Sequence, residues 1–130
     1  MSMETHQQLG SFITGSPEPT TDEKIWGALA HVSALVLSVF GPLLVILLKG
    51  KQSIWVERQA KEALNFQATM LAMTVVMLVA GLLLFCFGGV LLWKLLAPLG
   101  LAVAVLSIYA GIKAHEGVLY RYPFNVRLVK

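Results

Sequence analysis

Among the side chains within or beside the apolar stretches of this sequence, the imidazole of His31 and the amides of Asn65 and Gln67 have the most to lose in lipid. An imidazole can carry protons or bind a metal ion, and amides can bind polar substrates. Left unsatisfied in hydrocarbon, each group would cost several kcal/mol, so all three must face protein or a polar surface. One interpretation is a polar cluster that joins helices, with Lys113 as a further member. The alternative is a substrate pathway lined by the same three side chains.

Motifs that would support catalysis are absent from the sequence. There is no HExxH, no GxSxG, no glycine-rich phosphate loop and no pair of carboxylates within an apolar run. Cys86 is the only cysteine and lies in an apolar run, so we expect a packed thiol. The sequence therefore predicts no enzymatic activity, no catalytic residues, no metal site and no cofactor.

Composition indicates a protein whose solvent is the lipid bilayer. Of 130 residues, 57% are hydrophobic and 13% are charged, and the mean hydropathy is +0.75. A soluble domain carries about 25% charged residues, and this chain could not cover its apolar surface in water. The net charge is +3, but the basic residues flank apolar runs, so we expect no nucleic-acid partner.

Three apolar runs organise the chain, at about 25–48, 63–85 and 90–112. They predict an all-α integral membrane protein, a small helical bundle. Gly41-Pro42 is expected to break the first run, which leaves three spans or a four-helix arrangement. Gly88-Gly89 is expected to form the turn before the last run. The predicted divisions are a mobile polar tail over 1–21, a membrane domain over 22–130, and within it an interfacial C-terminal tail over 113–130.

Basic residues predict the orientation, because lysine and arginine in short loops stay on the cytoplasmic side. One basic group lies between the first two runs, at Lys49, Lys51, Arg58 and Lys61, and another follows the last run. We therefore expect a multi-pass protein of the bacterial inner membrane with a cytoplasmic C-terminus. The side of the N-terminus, and whether the first run spans or re-enters, stay open.

Residue type and spacing predict membrane roles for two further sets of residues. Small residues at steps of three and four allow close packing of helices, and aromatic residues beside apolar runs anchor them at the headgroups. The predicted packing seam is Ala97, Gly100, Ala104, Ser107 and Gly111. The predicted interfacial anchors are Trp55, Trp93, Tyr120, Tyr122 and Pro123.

Four blocks, "WGALAHVSAL", "GPLLVILLK", "QAKEALNFQ" and "GIKAHEGVLYRYPFNVRLVK", carry a resemblance to a known family. The chain resembles a bacterial membrane family of unknown function grouped with the Tic-twenty-like proteins, which include the chloroplast inner-envelope import component. The resemblance covers about residues 23–130. It implies four helices, and thus a first run that folds back. The resemblance carries no function with it, and a link to transport or translocation belongs to the principal hypothesis below. The positions that match the pattern are His31, Asn65, Gln67, Tyr120, Tyr122 and Pro123.

The sequence leads to one principal hypothesis and two alternatives. The principal hypothesis is a small non-enzymatic membrane protein that associates with itself, as a homo-oligomer, or with a larger membrane complex, and that is linked to transport or translocation. An alternative is a transporter or channel subunit with a polar pathway at His31, Asn65 and Gln67. A third is a tether whose basic C-terminal tail recruits anionic lipid or a soluble partner.

Overall fold

The computed structural model describes residues 18–130, so residues 1–17 of the predicted polar tail lie outside the described part. The described residues form helices joined by short turns, with no strand among them. The α-helices are α1 (Thr21–Val32), α2 (Ala34–Leu37), α3 (Phe40–Val45), α4 (Ile54–Leu83) and α5 (Leu96–His115), and α3 continues as a π-helical turn over Ile46–Gly50. Helix α4, and α5 together with the 3-10 turn before it, are long and apolar enough to cross a membrane.

Helix α1 begins at a capping box. The Thr20 hydroxyl accepts a hydrogen bond from the Glu23 amide, and the Glu23 carboxylate accepts one from the Thr20 amide. Ser53, which caps α4, also donates its hydroxyl to Glu23. These bonds, that from Ser53 foremost, lower the pKa of Glu23. One carboxylate thus holds the first residues of α1 and α4 side by side.

The first apolar run folds back on itself. Ser38 adopts a left-handed φ of 52° after α2, and α3 then runs antiparallel to α1. The ends of this hairpin meet where Lys49 lies 3.5 Å from Asp22. We call the end of the molecule where Asp22, Lys49 and Ser53 lie the base.

The expectation that Gly41-Pro42 breaks the run was wrong in position. Both residues lie in the first turn of α3, where proline blocks no helical hydrogen bond. The glycine instead allows close packing, because a Cβ at Gly41 would lie 2.7 Å from the backbone carbon of Ser33. The reversal itself occurs a few residues earlier, at Ser38.

Helix α4 is a single helix of 30 residues that includes the charged segment before the second apolar run. It is followed by 3-10 turns on either side of Gly88, which has φ 79°. The reversal thus lies at the predicted Gly88-Gly89 pair. Cys86, expected to be packed, is instead exposed in this turn, as are its neighbours Phe85 and Phe87, because no other described element covers them.

The bundle is broad at the base and narrow at the far end. At the base α1 packs against both α4 and α5, with the side chain of Val32 against Gly111. Helices α1 and α2 rise about 25 Å from the base, whereas α4 extends about 45 Å. Among the described residues, the far end, about 20 Å long, therefore contains only α4, α5 and their connecting turn.

Replacement of Gly41 by alanine tests the close contact between α3 and Ser33. The new methyl group would meet rigid backbone, so we expect Gly41→Ala to lower the free energy of unfolding by about 1–3 kcal/mol. Gly100→Ala is the matched control, because a Cβ there meets nothing within 4 Å and should be neutral or stabilising. Denaturant unfolding in detergent measures both, and equal effects would contradict the predicted contact.

Candidate functional site

His31 is the centre of a buried polar network at the base. Its Nε2 lies 2.8 Å from Gln59 Oε1 and its Nδ1 lies 2.8 Å from the Tyr122 hydroxyl. Gln59 in turn donates its amide to the Val118 carbonyl at 2.7 Å. Both His31 and Gln59 are fully buried. One imidazole therefore joins α1, α4 and the residues after α5, which we call the C-terminal segment (118–130).

The hydrogen-bond pattern fixes the form of the imidazole. Because the Gln59 carbonyl oxygen can only accept, Nε2 carries the proton and Nδ1 accepts from the Tyr122 hydroxyl. Burial lowers the pKa of His31 to about 4, against the opposing effects of Gln59 and Glu62. Burial likewise raises the pKa of Tyr122. Both groups are therefore neutral at pH 7: the imidazole does not take up a second proton, and the Tyr122 hydroxyl does not lose its own.

Aromatic rings enclose the Tyr122 end of this network. The Phe66 and Tyr122 rings stack with centroids 3.9 Å apart, and Tyr120 meets Tyr122 edge-on at 5.1 Å. Tyr122, predicted as an interfacial anchor, is only 3% exposed. Tyr120 is partly buried and Pro123 is exposed. The sequence pattern missed the hydrogen bond and the stacking that draw Tyr122 inward.

Glu62 is the charged member of the site. Its carboxylate accepts bonds from the Tyr122 amide at 2.8 Å and from Arg127 Nε and Nη2 at 3.1 and 2.8 Å. It is 8% exposed, so the charge is balanced by a forked guanidinium and a backbone donor. This contact fixes the C-terminal segment to α4.

Asn65 and Thr69 continue the same face of α4. The Asn65 side chain donates to the Val129 carbonyl and accepts from the Val129 amide, both at 2.8 Å. Thr69 accepts from the Val126 amide at 3.2 Å. Glu62, Asn65 and Thr69 are spaced by three and four residues, so one helix face presents all their bonds to the C-terminal segment.

The structure does not unite His31, Asn65 and Gln67 in a single cluster. Gln67 is buried and donates to the Ser107 hydroxyl at 3.4 Å, while Asn65 binds Val129 and His31 binds Gln59. Lys113 pairs with Glu116 instead. Sequence reasoning missed the roles of Gln59, Glu62, Thr69 and Tyr122. Gln59, Glu62 and Thr69 are spaced so that they share one helix face, and this spacing was the sequence feature that could have indicated their roles.

The predicted packing seam is divided between the two halves of α5. Ser107 and Gly111 are buried near the base, Ala104 is partly buried, and Ala97 and Gly100 are exposed. Of the predicted tryptophan anchors, Trp55 packs over Gly27 and Trp93 packs against Gly81. Both tryptophans are partly buried in contacts between helices.

A lateral groove of about 430 Å³ continues the Glu62–Thr69 face toward the far end. Apart from Thr69 its lining is apolar: Ala68, Ala72, Met73, Val76, Met77, Val126 and Leu128. Within residues 18–130, no three His, Cys, Asp or Glu side chains are grouped to hold a metal ion. The arrangement therefore fastens the C-terminal segment to α4 beside an apolar groove.

Replacement of Glu62 by glutamine tests the attachment of the C-terminal segment. The loss of the charge that faces Arg127 should lower the free energy of unfolding by about 2 kcal/mol and speed tryptic cleavage at Arg127. Glu57→Gln is the control: Glu57 pairs with Lys61 four residues along the same helix and both side chains are partly exposed, so the change should stay within about 1 kcal/mol. Equal cleavage rates in the two variants would contradict this assignment.

The buried imidazole predicts a dependence of stability on pH. Its pKa is lower in the folded chain than in the unfolded one, so the unfolded chain binds more protons between pH 4 and 6.5. Stability should be level above pH 6.5 and fall by about 2 kcal/mol between pH 7 and pH 5. Denaturant unfolding at both values should show this fall in the parent chain and in His115→Gln, whose side chain is exposed, and a smaller fall in His31→Gln. An undiminished fall in His31→Gln would contradict the prediction.

Comparison with known proteins identifies the family. The sequence model of the magnetosome magnetite crystal formation protein family (MamF/MmsF) matches residues 22–129. The resemblance to the Tic-twenty-like proteins was therefore wrong, because the match over almost the whole described chain is to a different family. No curated protein and no solved structure shows a significant match. With 22–129 matched, the chain belongs to the magnetosome magnetite crystal formation protein family.

Proposed function

We propose that this chain is a non-enzymatic integral membrane protein of the magnetosome that takes part in magnetite crystal formation. The role in crystal formation is supported by the family whose description carries it. Insertion in the membrane is supported by one structural observation above all. In each of the two long apolar helices, only 17% of a strongly apolar stretch of 18 residues is buried inside the protein.

Exposure of this kind separates a membrane span from the core helix of a soluble protein. A soluble core helix hides its apolar side chains, whereas α4 and the turn after it expose many of theirs. From residue 71 to residue 87, the exposed large side chains are Leu71, Met73, Val75, Val76, Leu78, Val79, Leu82, Leu83, Leu84, Phe85 and Phe87. Only hydrocarbon covers such a surface without penalty on all sides.

The distribution of charge supports two crossings with the base in the cytoplasm. Helix α4 carries no charge from Ala63 to Leu83, which is about 31 Å of helix, close to the thickness of the hydrocarbon core. Basic residues concentrate below Ala63, while Lys94 lies near the opposite end. In this arrangement α1 to α3 form a hairpin that returns to the cytoplasmic side.

The mode of action we propose is association through exposed helix surfaces, as a homo-oligomer or within a larger membrane complex. Ala97 and Gly100 are exposed, and a Cβ at Gly100 would meet nothing within 4 Å. Small residues at such a place permit close approach of another helix. A polar transport pathway has less support, because His31, Asn65 and Gln67 all bind partners inside the protein.

A charge placed on the proposed lipid surface tests both parts of the proposal. Val76 is 65% exposed in the uncharged part of α4, and Ile54 is 70% exposed at its charged start. An arginine at the bilayer centre costs about 2.5–3.5 kcal/mol, so Val76→Arg should reduce the membrane-bound protein. Ile54→Arg, the control, should leave it near the parent level.

The measurement uses a magnetosome-forming bacterium that lacks this gene. We expect electron microscopy to show magnetite crystals of altered size or number, restored by the parent chain and by Ile54→Arg but poorly by Val76→Arg. Unchanged crystals in the strain without the gene would contradict the role in crystal formation. Full membrane recovery of Val76→Arg would contradict the proposed span.

A further inference from the structure

The C-terminal segment exposes apolar side chains, three of them by more than half. Phe124 is 91% exposed, Leu128 is 77% exposed and Val126 is 56% exposed. Phe124 also has a left-handed φ of 55°, a conformation that costs a bulky residue energy. The chain thus turns outward at Phe124 with its apolar side chains uncovered by protein.

Hydrogen bonds to α4 define the path of this segment. The Tyr122 amide binds Glu62, the Val126 amide binds Thr69, and the Lys130 carbonyl accepts from Lys61. The chain therefore rises along α4 from Glu62 to Thr69, a climb of about 10 Å on the helix axis, and then returns to Lys61.

The apex of this path lies beside the uncharged part of α4. Val126 and Leu128 line the lateral groove together with Val76 and Met77. These α4 residues are well past Ala63, where the uncharged part begins. The apex is consequently level with the helix surface that we assign to hydrocarbon, while Arg121 and Lys130, both exposed, belong to its two ends.

Polar side chains of α4 make such a position possible. Non-helical backbone is tolerated at membrane depth only where its donors and acceptors find partners in protein. Asn65 satisfies both backbone groups of Val129, and Thr69 and Glu62 satisfy the amides of Val126 and Tyr122. The polar face of α4 thus supplies hydrogen-bond partners for three amides and one carbonyl of the segment in place of water.

We propose that residues 118–130 form a re-entrant loop whose apex, at Phe124, Val126 and Leu128, contacts the acyl chains of the bilayer. The proposal rests on the membrane insertion of α4 proposed above. It goes beyond that insertion because it assigns to lipid a non-helical segment outside both spans. The basic residues at its two ends lie where anionic headgroups would meet them.

Spin labels in lipid vesicles test this position. Single cysteines would be introduced at Phe124, Leu128, Arg121 and Val76 in a Cys86→Ala chain, all at exposed side chains. Collision with oxygen, which dissolves in lipid, is compared with collision with a water-soluble nickel complex. We expect oxygen to dominate several-fold at Phe124, Leu128 and Val76, and nickel to dominate at Arg121, the control in the same segment.

The outcomes separate the two proposals. Oxygen dominance at Val76 with nickel dominance at Phe124 and Leu128 would overturn the re-entrant loop alone, and would leave the apex free for a soluble partner. Nickel dominance at Val76 as well would overturn the membrane insertion on which the loop rests. Because Phe124 and Leu128 are both highly exposed, two independent labels guard against a local disturbance at either one.

Discussion

The structure depends on the requirement that polar groups enclosed by apolar helices find partners in one another. His31 meets that requirement for three parts of the chain, because one ring nitrogen binds Gln59 of α4 and the other binds Tyr122. The Tyr122 ring then stacks on Phe66, so the same contact brings apolar packing with it. Helix α1, helix α4 and the C-terminal segment are therefore held by a single imidazole and its neighbours.

The second organising feature is the change of character along one face of α4. From Gln59 to Thr69 this face offers amide, carboxylate and hydroxyl groups, and every one of them binds another part of the chain. Beyond Thr69 the face becomes apolar, with Ala72 and Val76. The C-terminal segment turns back at this boundary, since further along the helix its backbone would find no hydrogen-bonding side chains.

Local features of the fold followed from the sequence. Apolar runs and glycines predicted the long helices and the turn at Gly88, and the uncharged length of α4 was visible in the residues themselves. The reversal at Ser38 was not predicted because Gly41-Pro42 offered a stronger local breaker. With the reversal at Ser38, Gly41 lies in close contact with Ser33 across the hairpin.

The site could be predicted less completely, because it joins distant parts of the chain. His31 and Tyr122 are 91 residues apart, and no local pattern pairs them. Aromatic and basic residues after the last run indicated a surface anchor, yet tertiary contacts drew Tyr122 inward and left Phe124 outside. Short blocks such as the one around Asn65 also misled the family assignment, which the match over residues 22–129 corrected.

The narrowing of the bundle from base to far end has a consequence for the bilayer around it. At the base, α1, α3, α4, α5 and the C-terminal segment share one cross-section, whereas the described residues at the far end form only two helices and a turn. If α4 and α5 cross the bilayer as we propose, a body of this shape takes more area from one leaflet than from the other. Lipids around many such wedges pack with least strain on a curved surface whose convex side holds the wide end.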